Sequence, residues 1–143
     1  MAEAGSGTGR EAALASRRSG GSAESAVFAR RIAAIVDAKL GEDLVALDVR
    51  ALVSYTDFLV ICSARNERQA KAIHDEVHER LKKEDGRLPA RVEGAADGRW
   101  VLMDYLDCVL HVFVPELRDR YRLEQLWGEA PALDLNGVVR PPA

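Results

Sequence analysis

The run Gly98-Arg99-Trp100-Val101-Leu102-Met103-Asp104-Tyr105-Leu106-Asp107-Cys108-Val109-Leu110-His111-Val112-Phe113 has the pattern of two strands folded back on each other. Arg99 to Tyr105 and Asp107 to Val114 are apolar-rich runs that meet at a turn at Tyr105-Leu106, which predicts a β-hairpin. Period-two alternation puts Trp100, Leu102 and Asp104 on one face of the first strand. Val101, Met103 and Tyr105 take the other. Packing alone does not explain these residue types. Trp100, Asp104, Tyr105 and Asp107 supply polar-tipped rings and carboxylates to one end of a hairpin, a mixture that a core alone would not require, although an aromatic on a strand is by itself more often a packing residue than a contact.

Moving upstream, Ala90 to Glu93 reads as a short strand and Gly86 as a helix stop. That helix starts at Asn66, whose side chain can accept from first-turn amides while Gln69 reciprocates. Ala70, Ile73, Val77 and Leu81 form its buried stripe. Asp57 to Ser63 is continuously apolar after its first residue and predicts a central strand covered on both faces. With the helix and the strand near residue 90 it forms a candidate βαβ unit. Arg50 to Thr56 is too long for a tight hairpin, and Leu44 to Val49 is a further strand. Residues 27–40 carry Phe28, Ile32, Ile35, Val36 and Leu40 at helical spacing, with Gly41 as the stop. Downstream, Pro115 fits the first position of a last helix, and Glu116 lies next to its positive end. Leu117, Tyr121 and Leu126 or Trp127 would pack that helix.

The element order is therefore α-β-β-α-β-β-β-α. It predicts an α/β (α+β) fold, a mixed five-stranded sheet with flanking helices. Residues 27–131 make one domain. Residues 1–26, with seven Ala, five Gly and five Ser, cannot bury enough apolar surface to order themselves and read as a disordered tail. Glu3, Glu11 and Glu24 count against a transit peptide there. Residues 132–143 read as a loose C-terminal tail.

Composition narrows the function classes. The chain has 143 residues, 48% hydrophobic and 30% charged, the range of ordinary globular proteins. A net charge of −3 argues against nucleic acid as the main partner and suits a basic protein surface. Cys62 and Cys108 sit in apolar runs, so no disulfide framework is expected. No apolar stretch reaches the roughly 18 to 20 residues of a membrane helix, and a cytosolic location is the simplest reading.

A family resemblance adds to this. Ala46-Leu47-Asp48-Val49, Thr56-Asp57-Phe58-Leu59-Val60-Ile61-Cys62-Ser63 and Asn66-Glu67-Arg68-Gln69-Ala70 resemble the first half of the ribosomal silencing factor (Iojap-like) family. Gly98 to Tyr105, Asp107, Val112, Arg118 to Tyr121 and Leu126-Trp127-Gly128 are similar to its second half. The resemblance implies a nucleotidyltransferase-like fold. It also implies binding to the large ribosomal subunit through its fourteenth ribosomal protein, which blocks joining of the small subunit and represses translation. Carried over residue by residue, it makes Trp100 the leading contact, followed by Asp104, Tyr105, Asp107 and Met103. Thr56 and Asp57 match family positions but could equally be structural. His111 matches one too, as a partner contact or as a hydrogen-bonded, partly buried histidine. Leu106 departs from the family, where Gly or a polar residue is common. A positive φ there costs about 1 kcal/mol.

Rival readings are weaker. A nucleotidyltransferase enzyme needs a Gly-Ser turn and two carboxylates one residue apart to hold Mg²⁺, which the chain lacks. His74 and His78 have metal-pair spacing, but no third ligand is evident. No cofactor and no metal are expected. Lys82-Lys83 reads as a solvated helix end, with peripheral ribosomal RNA contact left open. A large-subunit assembly factor is the main alternative to silencing. Homodimerisation through a sheet edge or helix face is compatible with the pattern.

Overall fold

The computed structural model describes residues 22–121, 128 and 130–140. Helix α1 spans Ser22–Ala38, β1 Glu42–Asp48, β2 Phe58–Ser63 and α2 Glu67–Arg80. Then come β3 (Arg91–Glu93), β4 (Trp100–Asp104), β5 (Cys108–Phe113) and α3 (Pro115–Tyr121). The five strands form one sheet in the order β1-β2-β5-β4-β3. Only β2 and β5 run parallel; the other neighbours are antiparallel. The mixed sheet with flanking helices is as the pattern predicts. The βαβ expectation needs refinement. β3 runs in the direction of β2, but β5 and β4 lie between them, so the connection through α2 crosses two strands.

β2 is buried along its whole length, which explains its unbroken apolar run. One sheet face holds Phe58, Val60, Cys62, Val101, Met103 and Leu110, packed with Phe28, Ile32, Ile35 and Val36 of α1 and Ala70, Ile73 and Val77 of α2. The opposite face holds Leu59, Ile61, Leu102, Val109 and Phe113, with Val53, Trp100, Leu117 and Ala130 packed against them.

The helix ends differ from expectation in detail. α1 stops with Leu40 itself left-handed, at φ 66°, while Gly41 follows because a Cβ there would meet Val36 Cγ1 at 2.5 Å. Asn66 Oδ1 accepts from the Gln69 amide at 2.9 Å, as predicted. Gln69 does not return the bond to Asn66. Its Oε1 accepts from the Arg65 amide (2.7 Å), and its Nε2 donates to the Leu40 carbonyl (3.0 Å), tying the start of α2 to the end of α1. A π-helical turn, Leu81–Asp85, extends α2 until Gly86 closes it at φ 65°.

Both domain boundaries shift. α1 begins at Ser22, inside the expected tail. Residues 132–140 are not loose. The Asp48 amide donates to the Pro131 carbonyl and the Leu133 amide to the Ala46 carbonyl, each at 2.8 Å, while Leu133 and Leu135 pack on the core. β1 is an edge strand with amides to satisfy, and an extended segment can satisfy them without any periodicity of its own. The expectations for residues 1–21, Leu126 and Trp127 and the side chain of Tyr121 fall outside what is described. Among the described residues no helix is long and apolar enough to cross a membrane.

Candidate partner-binding site

The candidate residues do not gather at one end of the hairpin. β4 pairs with β5 so that Trp100 faces Phe113 at the open end, while Asp104 faces Val109 beside the turn. Four residue steps along the strand separate Trp100 from Asp104, roughly 13 Å.

The turn end is a closed polar knot. Leu106 has φ 77°, and the Asp107 amide donates to the Tyr105 carbonyl across it at 3.0 Å. This is a γ-turn of the positive-φ kind, rare and strained for a side chain of this bulk. The turn is therefore centred on Leu106, the second of the two residues at which the pattern predicts it. Asp104 helps to hold it: Oδ1 accepts from the Leu106 amide at 2.8 Å, and Arg91 lies 3.9 Å from Oδ2. Asp107 accepts from Arg87 at 2.9 Å on Oδ1 and from the Ser25 hydroxyl at 3.3 Å on Oδ2. The same hydroxyl lies 2.8 Å from Asp57 Oδ2, bridging both carboxylates to α1. The Arg87 guanidinium also donates to the Tyr105 carbonyl at 3.2 Å and stacks 3.9 Å over the Phe28 ring.

Thr56, Asp57, Asp104, Tyr105 and Asp107 are all buried here, and Met103 lies under the helices. Burial pushes the Tyr105 hydroxyl up to about 12. The expected direct contacts through these six side chains are therefore not available in this conformation. Their carboxylates point to internal donors, because an unpaired buried charge would cost several kcal/mol. Ser25 and Arg87 were missed. Ser25 hides in low-complexity sequence, and Arg87 reads as an ordinary cation after a helix stop.

The open end is aromatic. Trp100 is half-buried, while the other seven of the eight candidates are buried. Its indole N–H donates to His111 Nδ1 at 3.0 Å. Its ring lies 4.7 Å from Phe113, and His111 and Phe113 are nearly coplanar in tilt, at 9° and 6.0 Å. His111 is buried, and burial lowers its pKa to about 4. A neutral ring accepting at Nδ1 carries its proton on Nε2. Cys62 and Cys108 are free thiols; burial raises Cys62 to about 12 and Cys108 well above its ordinary value, so neither is a nucleophile.

Comparison with known proteins gives one consistent result. Residues 22–143 match the family described as "Ribosomal silencing factor during starvation". The chain is 41% identical over 104 residues to a ribosomal silencing factor of Halalkalibacterium halodurans, covering 73% of this chain and 88% of the relative. It is 39% identical to that of Bacillus subtilis over the same length, covering 87% of that protein. The crystal structure of a Chromobacterium violaceum protein superposes with a TM-score of 0.62 at 30% identity, covering 85% of this chain and 87% of that one.

Proposed function

We propose that this chain, which belongs to the ribosomal silencing factor family, acts by binding the large ribosomal subunit through its fourteenth ribosomal protein and obstructing small-subunit joining. No catalysis is needed for this, and a cytosolic site of action fits it. The observation that carries the reading is Trp100, a large half-buried aromatic residue at a sheet end among otherwise buried candidates. Central aromatic anchors of this kind dominate interface energetics.

Asp104 and Asp107 enter this reading indirectly. They hold the hairpin turn and do not form a charged rim, so the anchor is presented by a rigid two-stranded frame. Attraction to a basic partner then falls to the net charge of −3. Residues 131–133 occupy the Ala46–Asp48 part of the β1 edge, so two copies cannot pair along that part.

The test is sedimentation of the protein with separated ribosomal subunits, before and after they are mixed. Migration with free large subunits together with fewer joined ribosomes supports silencing. Preferential migration with immature precursor particles would instead favour an assembly role. Absence from both would overturn the reading.

A further inference from the structure

His111 occupies an odd place. It sits on β5 between Ile61 of β2 and Leu102 of β4, with Val109 and Phe113 before and after it on the same face. All four neighbours are apolar. A residue needed only for packing there would be apolar too, since burying an imidazole without a hydrogen bond is costly. Its hydrogen bond among the described residues goes to the Trp100 indole N–H, at 3.0 Å. Phe113 stacks beside both rings. The indole has two side-chain torsions, and the nitrogen bond together with the Phe113 contact restricts both.

We propose that His111 is a positioning residue: by accepting the Trp100 indole N–H at Nδ1, it sets the one orientation in which the ring's outer edge meets the ribosomal partner. This rests on the reading of Trp100 as the anchor. The indole N–H is turned inward and is already engaged. The partner therefore meets an apolar ring edge, and its pocket requires no acceptor opposite the indole nitrogen. Locking the ring before binding lowers the ordering cost of association, so the effect falls mainly on the lifetime of the complex.

The experiment uses the full chain and purified large subunits, with His111→Phe, His111→Asn, Trp100→Ala and the Trp100→Ala/His111→Phe double variant. The indole N–H signals are followed by ¹H–¹⁵N NMR, and Trp100→Ala assigns the relevant one. In the unsubstituted protein this proton is expected to be protected from solvent exchange. His111→Phe keeps a ring in the stack but removes the acceptor. It should abolish the protection and weaken binding about tenfold, through faster dissociation, as expected when a buried donor is left unmet. His111→Asn keeps an oxygen near the Nδ1 position and should restore both properties. The double variant should bind no more weakly than Trp100→Ala alone, because the two residues act as one unit. If Trp100→Ala weakens binding while His111→Phe does not, the positioning role is wrong and the anchor stands. If Trp100→Ala leaves binding unchanged, the anchor falls and this inference with it. Should His111→Phe fail to fold, the exchange rate in the unsubstituted protein decides. A Trp100 indole proton exchanging as freely as an exposed indole overturns the proposal.

Discussion

The two ends of the β4–β5 hairpin use polar groups in opposite ways. At the turn, Ser25, Asp57, Arg87 and Asp107 are knotted together inside the protein, and the Asp104 carboxylate holds the amide of a strained Leu106. At the open end, the polar atoms of Trp100 and His111 satisfy each other, and most of what remains is ring. The end that looks more like a recognition site by residue type, with its three aspartates, is the structural one. The aromatic end, where Trp100 is half-buried, is the one proposed to meet a partner. Carboxylates flanked by arginines are consumed internally, whereas an indole whose nitrogen is already bonded presents mainly carbon.

This contrast predicts that turn-end variants act on stability alone, whereas the Trp100 ring at the open end acts on binding. The largest effect should come from Arg87→Ala, which leaves the Asp107 carboxylate buried without its cation and removes the stack on Phe28. A loss of about 3 to 5 kcal/mol is expected in denaturant unfolding, toward the lower end because Arg87 is itself part-exposed. A loss below about 1 kcal/mol would break the comparison, since the knot would then be incidental.

Next is the pH dependence contributed by His111. In the unfolded chain its imidazole takes up a proton below 6.5, but the folded protein withholds one until about pH 4. The unfolded state binds more protons in that window, so stability falls as pH falls from about 6.5 to 4. The contribution, about 3 kcal/mol, is fully present at neutral pH. Other acids titrate nearby, so the measure is the difference between the unsubstituted protein and His111→Phe. Equal pH slopes for the two would show that His111 is not shielded.

Trp100→Ala should weaken large-subunit binding by about 2 kcal/mol or more, roughly 30-fold, while leaving the folded state intact by circular dichroism. Full affinity in a folded variant would reassign the anchor. The smallest effect is Leu106→Gly. Glycine accepts φ 77° without strain, so stability should rise by up to about 1 kcal/mol. A fall in stability would mean that the Leu106 side chain contributes more through packing than its backbone costs.

Much of the fold was legible. The unbroken apolar run of β2, the alternation in β4, the Asn66 cap and the Gly86 stop are local signals, and each produced its element. Segments lacking such signals were misread. Ser25 belongs to a helix whose first turn is written in tail-like residues, and residues 131–133 pair with β1 using no pattern of their own.

By itself the sequence determined the strands and helices, the hairpin and the family, because periodicity and local motifs act through neighbours along the chain. Only the tertiary structure decided which candidate residues face outward. Asp57 and Asp107 lie 50 positions apart, and both meet Ser25 and the end of the hairpin through parallel pairing of β2 with β5. Whether a carboxylate is a contact or a brace depends on the donors that folding brings within about 3 Å of it. No spacing along the chain encodes that distance.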